Sequence, residues 1–357
     1  MDRNPTVSVA LCTYNGAPFI AAQLESILRQ TRPPDEVIVS DDGSADGTLS
    51  IVRSIVARHS PVVRVVQNPR RLGVIKNFES AIGQATGEII FLSDQDDVWL
   101  ENRVERMLLP FAASRDTSLV YCDARLVDQD LRPLGCSVFQ ARGEMRLATR
   151  HAARDVIRGV DLGVLGSMMA LRATLKPFVL PIEEIWGAHD HWIIFIAHAL
   201  AGVRAVDEPL MLYRRHERNV REAYSRTLDG QWWREWKFGV RSRELDDYTV
   251  EASRWETMTS HLKAIACSGG VLTAGRPRSG VPSAEQRPGS LPESAHATLA
   301  AFIHESERRL EFARARECVK RDRRFRRLLP MLRLLVRGDY HFYVHGLRSF
   351  GKDLLMQ

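Results

Sequence analysis

Residues 88–99 read EIIFLSDQDDVW: an apolar, β-branched run that ends abruptly in three carboxylates within four positions, Asp94, Asp96 and Asp97. A run that is apolar throughout, rather than alternating, is expected for a strand covered on both faces. Three similar runs precede it, at residues 6–13 (TVSVALCT), 35–41 (DEVIVSD) and 62–67 (VVRVVQ). Each is followed by a stretch with helical spacing. Phe19, Ile20, Leu24, Ile27 and Leu28 follow Pro18, and Leu49, Val52, Ile55 and Val56 form one stripe behind a cap at Asp46. Strand–helix alternation predicts an α/β fold with a parallel sheet and right-handed crossovers, and ligands then bind beyond the C-terminal ends of the strands. Further along, the spacing predicts a helix over 102–113, a strand over 119–122 and a buried helix over 192–200.

The chemistry-bearing residues fall where that edge is expected. Asp94, Asp96 and Asp97 repel one another unless positive charge compensates them, and Mg²⁺ or Mn²⁺ bridging to phosphate oxygens supplies it. An acidic solvated turn is the alternative. The second strand ends in SDDGSADGT (40–48), where Asp41 and Asp42 are placed to accept from a nucleobase N–H or a ribose hydroxyl, while Gly43 makes the turn. The first strand ends in Thr13-Tyr14-Asn15-Gly16, which brings backbone groups and a ring for base stacking to the same edge. Cys12 reads as a small buried residue. Neither GxGxxG nor GxxxxGK[ST] is present at this turn, which argues against the dinucleotide and P-loop classes.

The 357 residues are 45% hydrophobic and 26% charged, which excludes collagen-like, low-complexity and fully disordered chains. The net charge of +6 is uneven: residues 1–224 hold 26 Lys+Arg against 28 Asp+Glu, and residues 225–357 hold 24 against 16. We therefore divide the chain into a catalytic region, 1–224, and a basic, mainly helical region, 225–357, with a Gly/Pro/Ser-rich linker at about 268–294. Five scattered cysteines without a CxxC pair suggest neither a disulfide framework nor a zinc site. No stretch reads as a signal peptide or reaches the roughly 20 apolar residues of a membrane span, so the expected location is the cytoplasm, at most peripheral to the membrane.

The ordered series SVALCTYNG, QLESILRQT, PDEVIVSDDGSADGT, NPRRLGVIKNFESAIGQATGEIIFLSDQDDVW, LVYCDARLVD, GVLGSMMALR, AHDHW and DEPLMLYRRHERNV resembles the family 2 glycosyltransferases, and within them the bacterial rhamnosyltransferase-like branch. The resemblance covers about residues 6–220 and implies a GT-A-type, Rossmann-like nucleotide-diphospho-sugar transferase domain. It implies that Thr13, Tyr14, Asn15, Asp41 and Asp42 surround the base. Lys76, Asn77, Asp94 and Arg215 would face the diphosphate or sugar. Asp94, Asp96, Asp97 and His216 would hold a divalent metal, Mg²⁺ or Mn²⁺. Asp190 takes the place of the catalytic base, with a helix N-cap as its structural alternative. The implied reaction is inverting transfer of L-rhamnose from dTDP-L-rhamnose to a lipid-linked saccharide or other glycan acceptor in surface polysaccharide or O-antigen synthesis. UDP-sugars remain open as donors. The processive QxxRW motif is absent, which favours single-residue addition.

Two other classes compete: a silent nucleotide-sugar-binding protein, which has no need of Asp190, and a nucleotidyltransferase, which ordinarily carries a glycine-rich triphosphate loop. In the C-terminal region, Lys320, Arg321, Arg323, Arg324, Arg326, Arg327, Arg333 and Arg337 interleave with Phe325, Leu328, Leu329, Met331, Leu332 and Leu335. That pattern suits a helix lying on anionic lipid, with a solvated helical face as the alternative. No nucleic-acid-binding module is recognisable, so nucleic acid is not an expected partner.

Overall fold

The computed structural model describes residues 4–58, 62–141, 164–200, 202–216, 248–267, 293–321, 332–334, 336–337 and 339. These fall into two compact units, the first built from residues up to 216 and the second from residues beyond 247.

In the first unit, β1 (Val7–Thr13), β2 (Glu36–Asp41), β3 (Val63–Gln67) and β4 (Ile89–Ser93) are the four expected strands, joined through α1 (Ile20–Leu28), α2 (Thr48–Val56) and α3 (Val74–Gln84). After them come β5 (Val98–Trp99), α4 (Arg103–Ala113), β6 (Leu119–Val127), β7 (Pro133–Ser137), α5 (Val138–Ala141), β8 (Met169–Arg172), α6 (Lys176–Val179), α7 (His189–Ala199) and β9 (Val203–Arg214). All form one sheet ordered β3-β2-β1-β4-β8-β6-β9-β5, with β7 paired to β6. Every residue of β1 and β4 is buried, as their unbroken apolar runs require. β3 departs from that expectation: with no strand beyond it, Arg64 and Gln67 reach solvent.

The sheet is mixed rather than wholly parallel. β1, β2, β3 and β4 run parallel, as do β6 and β9, but β8 runs antiparallel between β4 and β6. β6 therefore points the same way as β4. The reversal matters for function, because the turn Gly166–Met168 that enters β8 lies at the edge where β4 and β6 end.

Asp46 holds the start of α2, although Gly47 is the boundary residue: its Oδ1 accepts the Thr48 N–H at 3.0 Å. Gly43 makes its turn at φ +82°, a conformation that side-chain-bearing residues rarely adopt. α7 buries Trp192 completely, and its indole N–H donates to the Val179 carbonyl at 2.8 Å. Trp192→Ala is expected to cost about 3–5 kcal/mol in urea unfolding.

The second unit contains α8 (Tyr248–Cys267) and α9 (Glu293–Arg321). They pack antiparallel, with Thr249 bonded to Glu317 near one end and Lys263 paired with Glu307 further along, and Glu251 pairs with Arg309 between the two helices. α9 begins at Glu293, and residues 268–292 of the expected linker lie outside the described residues, as do Trp232, Trp233, Trp236, Arg323, Arg324, Arg326 and Arg327. Among the described residues no helix is long and apolar enough to cross a membrane.

Candidate active site

The parallel strands bring four turns to one edge. Thr13 stands beside Asp41 in register, and the Asp42 N–H donates to the Thr13 carbonyl at 2.9 Å. Gln95, between the carboxylates of the β4 turn, reaches across: its Oε1 accepts from the Thr13 hydroxyl at 2.6 Å and the Tyr14 N–H at 2.9 Å, and its Nε2 donates to the Tyr14 carbonyl at 3.1 Å. One amide thus fixes the β1 turn against the β4 turn. The Arg71 guanidinium lies 4.1 Å over the Tyr14 ring. Asn15 lies at φ 50°; its N–H donates to the Ser44 hydroxyl, and its Oδ1 accepts the Ala45 N–H, both at 2.9 Å. Asn15 therefore joins two turns rather than presenting its amide outward.

The two adjacent aspartates divide their work. Asp41 is fully buried and turned into its own loop, accepting from Gly43 N at 3.1 Å, Ser44 N at 3.0 Å and the Ser44 hydroxyl. Its hydrogen bonds shape the turn that follows β2. Asp42 accepts from Asn68 Nδ2 at 3.0 Å, Leu72 N at 2.7 Å and Gly73 N at 2.8 Å, and so draws the loop after β3 to the edge. The Cys12 thiol is pushed well up by burial and then by Asp94 and Asp42, which suits a buried side chain rather than a nucleophile.

Asn77 and Lys76 do not face this edge freely. Asn77 is buried, with Oδ1 accepting from Ser40 Oγ at 2.7 Å and Asn68 Nδ2 at 2.9 Å, and Nδ2 donating to the Ser40 carbonyl at 3.0 Å. Lys76 Nζ donates to Glu79 at 2.7 Å and to the Ile182 carbonyl at 2.9 Å. Both side chains tie α3 to neighbouring segments, because helix geometry turns them toward packed elements.

The β4 turn meets the end of β9. Asp96 Oδ2 lies 2.9 Å from His216 Nε2, and the His216 ring stacks on Phe19 at 4.3 Å. Arg214 Nε donates to the Asp96 carbonyl at 2.7 Å, and its backbone N–H donates to Asp97 Oδ1 at 3.2 Å. Asp97 is fully buried, and burial, followed by Asp96 and Asp94, raises its carboxyl well above the usual range. It sits behind the expected metal group rather than in it. Among the described residues no three His, Cys, Asp or Glu side chains are gathered to hold a metal.

Arg215 is the other correction. Its N–H donates to the Val127 carbonyl, and its charge acts on the Cys136 thiol, whereas Arg214 and His216 share the side of the carboxylates. Alternation along an extended chain sends neighbouring side chains to opposite faces, so Arg214 and His216 lie on the side of the β4 carboxylates and Arg215 on the other. Arg214→Ala is expected to weaken nucleotide binding at least tenfold and Arg215→Ala to leave it within twofold, as read by calorimetry.

Asp190 arrives from a distant part of the chain. It is the second residue of α7 and is 3% exposed, its Oδ1 accepting the His191 N–H at 2.8 Å and its Oδ2 the Gly166 N–H at 3.2 Å. The N-cap is Ala188, so Asp190 is not the capping residue, although the helix N-terminus favours its negative charge. Ser167, the next residue after Gly166, lies against Asp97, and its carbonyl accepts from Arg103 Nη2 at 2.5 Å. The antiparallel entry into β8 thereby links Asp190 to the β4 turn. Arg214 and Gly166 lie in the segments YRRH and GVLGSMMALR already noted in the sequence, whereas Gln95, Asn68 and Arg71 were not singled out there. Only the Arg70-Arg71 pair and the position of Gln95 inside the acidic triplet gave any sign of them.

The curled sheet with its helices, with four turns, a carboxylate–imidazole pair and a separate buried carboxylate at one edge, is a GT-A-like, Rossmann-type fold. Residues 8–156 match the model of the Glycosyl transferase family 2. The chain is 33% identical over 108 residues to EpsE of Bacillus subtilis (strain 168), covering 30% of this chain and 39% of EpsE, a protein with a glycosyltransferase name. It is 28% identical over 230 residues to EpsH of the same strain, likewise named, covering 63% of this chain and 65% of EpsH. The chain thus spans less than two thirds of either relative. The solved structure of S. aureus TarS 1–349 in complex with UDP-GlcNAc has a similar fold at a TM-score of 0.53 and 16% identity, covering 97% of this chain and 90% of that one.

Proposed function

We propose that this protein is an inverting glycosyltransferase that moves a sugar from a nucleoside diphosphate onto a hydroxyl acceptor. The supporting observation is that Asp190, far from the other carboxylates in sequence, is linked through Gly166 and Ser167 to the turn that carries Asp94, Asp96 and Asp97. A nucleotide-binding protein without chemistry has no use for that arrangement.

In this reading Asp42 and the Tyr14 turn hold the base end, and Asp94, Asp96 and Arg214 line the diphosphate end. Asp190 accepts the proton of the acceptor hydroxyl while that oxygen bonds to the anomeric carbon. The bond from that carbon to the diphosphate oxygen breaks on the opposite side, and the electron pair leaves with the nucleoside diphosphate. The transition state carries oxocarbenium character and growing charge on the leaving group, which Arg214 stabilises from a fixed position.

Asp96 and His216 would hold a divalent cation only together with oxygens of the donor, since no third protein ligand is gathered beside them among the described residues. Asp96 Oδ2 and His216 Nε2 lie 2.9 Å apart, so the carboxylate and the imidazole face one point at the β4 turn. A cation held there would supply positive charge for the diphosphate leaving group. With one carboxylate oxygen and one imidazole gathered, the diphosphate must complete its coordination, so donor and metal binding are expected to be mutually dependent.

The donor is dTDP-L-rhamnose and the acceptor a lipid-linked saccharide at the cytoplasmic membrane face, a reading supported by the resemblance of the ordered motifs to the rhamnosyltransferase-like branch and by the basic C-terminal region. A UDP-sugar is the second reading, favoured by the fold shared with TarS in complex with UDP-GlcNAc. Calorimetry with dTDP-L-rhamnose and a panel of UDP-, GDP- and dTDP-sugars, each with Mn²⁺ and with EDTA, tests both. Selective, EDTA-sensitive binding of dTDP-L-rhamnose supports the first; selective binding of a UDP-sugar replaces it. Absence of binding to every sugar nucleotide removes the enzymatic reading.

A further inference from the structure

Gly166 is bare at a point where one added carbon cannot fit. A Cβ built on it would lie 2.1 Å from Nε2 of His189 and 2.9 Å from its Cε1. The His189 ring has little freedom to retreat, since it is buried and stacks on Phe78 of α3, centroids 3.9 Å apart and planes 17° from parallel. The same glycine donates its N–H to Asp190 Oδ2. His189 and Asp190 are consecutive and open α7, so a displaced ring carries the neighbouring carboxylate with it.

We infer that Gly166 is a positioning residue for Asp190: its missing side chain lets His189 lock onto Phe78, and its N–H aims the carboxylate. The inference rests on the reading of Asp190 as proton acceptor. Phe78, His189 and Gly166 bring α3, the start of α7 and the entry into β8 together at one point, and Asp190 is attached to two of the three. Gly166 and His189 act on Asp190, whereas the base end of the donor is assigned to Asp42 and the Tyr14 turn, so loss of the lock is expected to act on chemistry more than on donor binding.

The test is a set of variants, Gly166→Ala, His189→Ala, the two combined, and Asp190→Asn, in the full chain. Donor binding is measured by calorimetry with whichever of dTDP-L-rhamnose or the panel sugars binds the wild type. Turnover is measured as nucleoside diphosphate release, to acceptor or to water. Gly166→Ala is expected to lower kcat by about 10²-fold, the size of effect that a misplacement of about 1 Å produces. Donor Kd and donor KM are expected to stay within twofold, a split that general loosening of the fold would not give. With the colliding ring gone, adding Gly166→Ala to His189→Ala is expected to change kcat less than threefold, so the two losses are not additive. If Gly166→Ala does not fold, that second comparison decides alone. Wild-type kcat in Gly166→Ala, equal loss of donor affinity, or full additivity with His189→Ala each overturns the inference while Asp190→Asn remains inactive. Should Asp190→Asn itself turn over normally, the proton-acceptor reading fails first, and that outcome is distinguishable from the others.

Discussion

Asp190→Asn is expected to lower transfer by about 10²–10⁴-fold, the contribution of a positioned proton acceptor, with donor affinity changed no more than a few-fold. The amide keeps the shape of the carboxylate and can still accept the Gly166 N–H through its oxygen, so folding and nucleotide binding should survive. It cannot take up a proton at neutral pH. Single-turnover kinetics and calorimetry on the same preparation separate the two effects. Parallel loss of donor binding would contradict the assignment, which gives the base end of the donor to the Asp42 and Tyr14 turns. Inversion at the anomeric carbon, read by NMR of the product, is the stereochemical counterpart of this expectation, since a single displacement with one base leaves no covalent sugar on the enzyme.

Asp42→Ala is expected to be the most damaging change on the nucleotide side. Its carboxylate is 3% exposed and holds three donors, the Asn68 amide and the N–H groups of Leu72 and Gly73. Leaving such donors without an acceptor costs about 1–3 kcal/mol each where they stay buried, so a total of about 2–5 kcal/mol is expected in urea unfolding. The loop that carries Arg71 is then untethered, and Arg71 loses its place over Tyr14. Calorimetric heats with every sugar nucleotide should vanish. Asp41→Ala should also destabilise, through its own turn, yet retain measurable nucleotide binding once the protein is folded at low temperature. Equal nucleotide binding by Asp42→Ala and wild type would remove Asp42 from the site.

Much of this was legible before any coordinates. The four N-terminal strands, their helices and the turn residues Asp46 and Gly43 follow from local patterns, because each depends on groups within a few positions of one another. The acidic triplet was equally visible, but not its division of labour. Asp96 faces His216 while Asp97 is buried against the Arg214 backbone, and one residue of register separates those fates. The same single-residue step places Arg214 on the side of the carboxylates and Arg215 on the other. Asn77 and Lys76 looked available because sequence displays a side chain's chemistry without its partners; Ser40, Asn68, Glu79 and Ile182 had already engaged them.

By itself the sequence determined the α/β class, the edge at which ligands gather and the carboxylates worth testing, since apolar runs, glycine turns and clustered like charges act locally. Only the tertiary structure decided that β8 runs backwards between β4 and β6, and with it that Gly166 meets Asp190 and His189. Strand direction in a mixed sheet is set by which long-range pairing buries the most apolar surface and satisfies the most backbone hydrogen bonds, a competition among distant segments that no short stretch of sequence contains.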